Sequence, residues 1–261
     1  MPQKLGQHFL RSNTVIEKMC DRVQKGDTIV EIGPGKGVLT AKLLEKGAIV
    51  TAIETDPLLI PILKETFAEN IKNESLTLVH SDILEWKIPT TLGEYSVVAN
   101  IPYYITGAIL RTFLEHTDNN PQNMTLLVQK EIADRVIERD GKASILSLSV
   151  RAYGTVKKLM NVRKEAFSPP PKVTSAILEV SNISKDFFTT NNISEKDYFT
   201  IVRGAFGQKR KTTTNNLSRI LPEIDWKGIF SEHSLPLNIR SEEISLEKWI
   251  ILTERSTKRK K

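Results

Sequence analysis

Short apolar runs alternate with stretches of helical period along the first two thirds of the chain. The runs Thr28 to Ile32, Ala48 to Ile53, Leu76 to His80, Tyr95 to Ala99, Met124 to Val128, Tyr153 to Val162 and Ser175 to Val180 are β-rich and bounded by turn residues, as buried strands are. Between them the spacing predicts helices over about Thr14 to Val23, from the glycine turn to Lys46, over Thr106 to Glu115, over Lys130 to Arg139 and, after a loop at Asp140-Gly141-Lys142, in a further run through Val150. Strands alternating with helices predict an α/β fold built on a mostly parallel, Rossmann-like sheet. Ser181 to Ser194 is polar, with Thr-Thr-Asn-Asn and two Asn-Ile-Ser steps, and reads as a linker. Beyond it the pattern is helical to the end. The expected organisation is a domain over 1–183 and a small α-helical domain over 184–261.

Composition bounds this picture without changing it. A chain of 261 residues with 39% hydrophobic and 26% charged content is an ordinary globular sequence. Its one cysteine, Cys20, allows neither an internal disulfide nor a cysteine metal site, which favours a reducing compartment. No run of 18 uncharged apolar residues is present, so neither a membrane span nor a secretion signal is expected. Charge adds something new. From Ser184 onward there are 15 Lys and Arg against 10 Asp and Glu, leaving 22 against 21 before it, so the surplus of +6 lies mostly in the last third. That asymmetry fits an anionic partner, nucleic acid before membrane, and by itself fits a merely solvated surface equally well.

Candidate chemistry gathers at strand ends. Glu31-Ile32-Gly33-Pro34-Gly35-Lys36-Gly37 follows the first long strand, and its glycines let a backbone approach a ligand while helix N–H groups face it. The dinucleotide fingerprint G-x-G-x-x-G would need glycine where Val38 stands, which disfavours a nicotinamide cofactor. Glu54 ends the next strand 21 residues after Gly33, the spacing of an acid that binds ribose hydroxyls. Asp82, beside Ile83, follows the third strand, where a carboxylate and an apolar neighbour suit an adenine ring. Ligands of open parallel sheets bind at such carboxyl ends. The fourth strand ends in Asn100-Ile101-Pro102-Tyr103. There the Asn100 side chain and the Ile101 carbonyl offer two acceptors for one small amine, and Tyr103 offers a face for a planar ring. Taken alone, the four residues are also a plain strand-ending turn. Further on, Phe167 precedes Ser168-Pro169-Pro170-Pro171-Lys172-Val173, which reads as a stiff extended loop. Lys209, Arg210 and Lys211 sit at a helix junction, a natural site for phosphate.

Together with Gly6-Gln7-His8-Phe9-Leu10 and Asn215-Asn216-Leu217, these motifs resemble, in order and over nearly the whole chain, the ribosomal RNA adenine N6-dimethyltransferase family. The resemblance implies a methyltransferase sheet with S-adenosylmethionine as methyl donor, bound by His8, Leu10, Gly33, Gly35, Glu54, Asp82 and Asn100, and no metal. It implies that Asn100 and the Ile101 carbonyl accept the hydrogens of the target N6, while Tyr103 and Phe167 sandwich the flipped-out base. It also implies RNA contact by Lys209, Arg210 and Lys211. Gly204-Ala205-Phe206 through Leu217 and Arg240-Ser241-Glu242-Glu243-Ile244-Ser245 are most similar to the bacterial housekeeping branch. Its substrate is two adjacent adenosines in the 3′-terminal hairpin of 16S small-subunit rRNA, and its partner the assembling 30S subunit. The expectation is therefore a cytoplasmic monomer. The alternative is the macrolide-resistance (Erm) branch, which modifies one adenosine of 23S large-subunit rRNA.

Overall fold

The computed structural model of the chain describes residues 8–115, 117 and 119–258. Gly6 and Gln7, and the tail cations Arg259, Lys260 and Lys261, lie outside the described residues. The chain forms two compact units, one of residues up to Ala133 with Thr155–Ile183, the other of Asp134–Gly154 with the residues from Ser184. Residues 134–154, placed by sequence within the first domain, cluster instead with the second unit.

In the first unit the elements run β1 (Phe9–Leu10), α1 (Asn13–Met19), β2 (Thr28–Ile32), α2 (Val38–Glu45), β3 (Ile49–Glu54), α3 (Leu59–Thr66), α4 (Ala68–Lys72), β4 (Leu76–His80), β5 (Ser96–Asn100), α5 (Thr106–Leu114) and β6 (Asn123–Gln129). The chain leaves this unit within α6 (Lys130–Val136) and, after α7 (Ile145–Arg151), returns as β7 (Thr155–Val162), β8 (Phe167–Ser168) and β9 (Ser175–Ser181). Seven strands form one sheet in the order β4-β3-β2-β5-β6-β9-β7. The five from β4 to β6 are parallel, and β9 runs antiparallel to both its neighbours. Residues such as Ile29, Val30, Val97 and Leu126 are fully buried, which is why these strands read as continuous apolar runs rather than alternating ones. Each such side chain contributes roughly 1.5–3 kcal/mol by leaving water.

The order reverses between β2 and β5, and two neighbouring strands whose connections leave in opposite directions open a crevice at their carboxyl ends. The loop Gly33–Gly37 enters it. Gly37 carries φ +79° as the residue before α2, and a Cβ there would lie 2.4 Å from the Phe67 ring, so neither its backbone nor its surroundings accept a side chain. A separate two-stranded ribbon, β1 with β8, pairs Phe9 with Ser168 and Leu10 with Phe167. The stretch read as an extended proline loop therefore begins as a strand.

The second unit, besides α7, holds α8 (Asp186–Thr190), α9 (Glu195–Ala205), α10 (Thr213–Ile220), α11 (Trp226–Glu232) and α12 (Leu246–Lys258). Tyr153, Phe187, Phe188, Tyr198 and Phe199 interlock edge-to-face or stacked, with centroids 5.2–6.1 Å apart. Asn216 is buried, donating to the Ala205 and Gln208 carbonyls at 2.6 and 3.1 Å, so it closes the end of α9 rather than facing a partner. α9 and α10 meet at Gly204, where a Cβ would lie 2.0 Å from Ile220 Cδ1. Gly204→Ala is expected to lower stability by about 1–3 kcal/mol through overpacking, less the gain in helix propensity of about 1 kcal/mol. Adding Ile220→Val, which removes that Cδ1, should recover part of the loss. Urea unfolding of the two single variants and the double variant checks this, and strict additivity would contradict it.

Candidate functional site

A cleft opens at the carboxyl ends of β2, β3 and β5. Parallel register builds it. Ile32 stands beside Ile53 on one flank and Ala99 on the other, so Gly33, Glu54 and Asn100 leave their strands at one level. The cleft is lined by His8, Leu10, Gly33, Gly35, Glu54, Asn100, Ile101 and Tyr103, eight residues singled out from sequence. Glu31, Phe9, Lys36, Val38 and Leu39 also line it.

Two carboxylates lie here side by side, both buried, and the fold treats them differently. Glu54 accepts from the Gly35 N–H at 3.0 Å and the Asp56 N–H at 2.9 Å, one on each oxygen. Each oxygen keeps a second lone pair for a ligand hydroxyl. Glu31 accepts from the Thr40 hydroxyl at 2.6 Å through one oxygen, while its other oxygen has no hydrogen-bond partner among the described residues. Burial, helped by the nearby Glu54 charge and opposed by the Thr40 bond, pushes the Glu31 carboxyl up to about 8.

Asn100, at the end of β5, donates its Nδ2 to the His8 carbonyl at 3.1 Å. That bond engages the amide nitrogen and leaves Oδ1 to accept, at a residue that lines the cleft together with Ile101. His8 is fixed in turn, its Nδ1 bonded to the Pro169 carbonyl at 2.9 Å and its ring 6.2 Å from the Tyr103 ring at an interplanar angle of 28°. The Tyr103 hydroxyl is held to Ser175 Oγ at 2.6 Å, and burial raises its pKa despite that bond. His8 therefore shapes the site through Asn100 and Tyr103, a role its sequence position alone did not reveal.

Two expected site residues are not at the cleft. Phe167 is only 3% exposed and packs in the core with Leu10, Val162 and Ile177. In the β1–β8 ribbon Phe167 stands opposite Leu10 and shares its face, buried in the same core cluster, but does not itself line the cleft. Asp82 does not line the cleft either; its carboxylate accepts from the Leu84 N–H at 2.9 Å and closes the turn after β4. Lys36, which does reach the rim, lies 5.0 Å over the Phe9 ring. Among the described residues no group of three or more His, Cys, Asp or Glu is placed to hold a metal ion.

In the second unit, Lys209, Arg210 and Lys211 are exposed in the turn between α9 and α10, whose first residue is capped by Thr212 accepting from the Asn215 N–H. Arg240 donates to the Lys209 carbonyl at 2.7 Å, and Arg219 approaches Gly207. These two arginines enlarge the cationic turn. Arg240 is 31 positions from Lys209, so local charge counting missed it.

An open α/β sheet with a glycine loop, a ribose-spaced carboxylate and an oriented carboxamide at its switch point is the architecture of a Rossmann-like transferase. The sequence pattern described as "Ribosomal RNA adenine dimethylase" matches residues 2–258, and the chain belongs to that family. It is 38% identical over 258 residues to a protein of Dehalococcoides mccartyi named Ribosomal RNA small subunit methyltransferase A, covering 94% of this chain and 84% of that one. A protein of the same name from Fusobacterium nucleatum is 36% identical over 256 residues, covering 96% and 95%. The fold is shared with a dimethyladenosine transferase from Plasmodium falciparum, at TM-score 0.77 and 24% identity over 96% of this chain and 98% of that one. It is shared equally with the 23S rRNA methyltransferase ErmE, at 0.75 and 24% over 95% and 99%.

The raised Glu31 pKa has a sign that can be tested. Between about pH 4.5 and 8 the unfolded chain ionises this carboxyl while the folded one keeps its proton, so folded-state stability falls relative to a variant without it. The melting temperature of Glu31→Gln minus that of the parent should therefore rise from pH 5 to pH 8. A difference independent of pH would show that Glu31 titrates as an ordinary carboxylate.

Proposed function

We propose that this protein is an S-adenosylmethionine-dependent small-subunit rRNA adenine N6-dimethyltransferase, acting on two adjacent adenosines of the 3′-terminal hairpin during subunit assembly. The observation that carries the reading is the Asn100 carboxamide, which lines the cleft together with the glycine loop and Glu54 and whose donor is bound by the His8 carbonyl, leaving its oxygen to accept. Names of relatives from several bacteria favour the small subunit over the large. The two solved structures speak only for the fold.

The residues fit the cofactor. The glycine loop lets its chain approach, Glu54 has lone pairs for ribose hydroxyls, and the unpartnered Glu31 oxygen suits a cationic group. When bound, the cofactor supplies a methyl group on an electrophilic sulfonium. The remaining work belongs to the chain. Adenine N6 is a poor nucleophile because its lone pair is delocalised into the ring. Asn100 Oδ1 and the Ile101 carbonyl, accepting its two hydrogens, favour a pyramidal nitrogen with that lone pair directed at the methyl group. Tyr103 supplies the stacking face. Such alignment can lower a barrier by roughly 7–11 kcal/mol, so no strong base is required. Once the N–C bond has formed, the cationic nitrogen gives up its proton readily. The basic turn of the second unit, Lys209, Arg210 and Lys211 with Arg240, contacts RNA phosphates and holds the particle.

The deciding experiment incubates the protein and labelled S-adenosylmethionine separately with unmethylated small subunits and with large-subunit rRNA, then maps the modified nucleotides. Dimethyladenosine at two neighbouring positions of the small-subunit 3′ hairpin is expected; label confined to large-subunit RNA would transfer the protein to the resistance branch. In the same assay Asn100→Ala should retain cofactor binding and lose about a hundredfold or more in turnover, the scale seen when one preorganised polar group is removed from a reacting centre. Near-parental turnover would remove Asn100 from the mechanism. Lys209→Ala with Arg210→Ala should weaken binding to the subunit and reduce the slope of log affinity against log salt by about 1.5. An unchanged slope would argue that these cations touch no phosphate.

A further inference from the structure

Tyrosine is spent carefully in this chain. Of its five tyrosines, Tyr95, Tyr153 and Tyr198 are buried with their hydroxyls bonded to Asn119, Glu195 and Leu148, and Tyr103 is bonded to Ser175. Tyr104 differs from all of them. It is 72% exposed, and among the described residues its hydroxyl makes no hydrogen bond and its ring no aromatic contact. Its backbone is nevertheless well held. Tyr103 to Ile105 form a 3₁₀ turn, closed by the Ile105 N–H on the Pro102 carbonyl at 3.2 Å and by the Thr106 hydroxyl on the Tyr103 carbonyl at 3.2 Å. A free ring on a fixed turn loses little entropy when it meets a flat partner.

Its position indicates which partner. Tyr104 directly follows Tyr103, which lines the cleft and is tied to Ser175. Two residues before Ser175 stands Val173, 43% exposed, and before that the exposed Lys172. The Thr174 carbonyl between them accepts from the Lys130 N–H at 2.9 Å, which pins this segment. Two of the nine large hydrophobic side chains exposed among the described residues thus stand one and two positions along the chain from the ends of the Tyr103–Ser175 hydrogen bond, with Lys172 preceding Val173. Ring faces interleaved with positive charge are the means by which proteins hold unpaired nucleotides.

We propose that Tyr104 is a positioning residue that stacks on the nucleotide flanking the target adenosine, with Val173 and Lys172 completing the shelf under that base and its phosphate. The inference rests on the RNA-methylating reading above. Turning a base out of its stack exposes a face of each neighbour to water, and a protein ring can cover one of them. For a substrate with two adjacent targets the flanking base is itself an adenine, so the same shelf holds one adenosine while the other is modified.

The test compares Tyr104→Ala and Tyr104→Phe with the parent protein on unmethylated small subunits, measuring cofactor affinity, kcat and KM for the subunit. Tyr104→Ala should raise KM roughly 5- to 100-fold, the range expected for losing one base stack, with cofactor affinity and melting temperature unchanged. Tyr104→Phe, which keeps the ring, should restore it. Parental kcat and KM in Tyr104→Ala would overturn the inference while leaving the functional reading intact, and failure of Tyr104→Phe to rescue would overturn stacking in favour of the hydroxyl. A parent protein that binds the cofactor but methylates no subunit would overturn both.

Discussion

Parallel pairing of β2 with both β3 and β5 is the constraint on which the rest of this structure depends. A parallel ladder fixes which residues leave neighbouring strands at the same height, and here those are Gly33, Glu54 and Asn100. The pairing requires crossover helices, and the helices cover both faces, which demands the apolar strands seen in the sequence. A slip of one residue in β5 would turn Asn100 to the opposite face and take the carboxamide away from the cleft. Site and core are therefore specified by the same hydrogen bonds.

Polar groups at the cleft are settled unevenly, and the unevenness is informative. Glu54 has its two oxygens met by backbone donors, whereas Glu31, nearly as close to the ligand space, has one oxygen left over. Leaving a buried polar atom unpaired costs about 1–3 kcal/mol. Buried Glu179, by contrast, is matched by both nitrogens of the Arg22 fork, whereas the leftover Glu31 oxygen stays available to accept from a ligand.

Much of this was legible in the sequence because it is local. Strand runs, the glycine loop, the spacing to Glu54 and the Asn-Ile-Pro-Tyr turn each depend on neighbours a few residues away, and each stands where the pattern put it. What was not legible depends on partners far along the chain. Phe167 looked presented by its prolines, but β8 pairs with β1 and Phe167 is buried in the core there. Asp82 had a suitable place at a strand end, yet it caps its own turn. Asn216, one of the residues that carry the family resemblance, proves to be a structural cap for α9. Residues 134–154 carry no linker signal, and only their packing shows which unit they join. His8, expected only as a cofactor contact, gains partners in Pro169, Tyr103 and Asn100.

The tie between His8 and Pro169 spans 161 positions. The Asn100 amide is oriented by the His8 carbonyl, and the segment that carries His8 is paired with β8. A chain emerging from its own synthesis with β2 to β5 already assembled would possess the glycine loop but a carboxamide free to turn either way. β9, which enters the sheet beside β6, and β8 just before it are made last in this unit. The ties that hold His8, and through it the Asn100 amide, are thus completed only once β8 and Pro169 have been made.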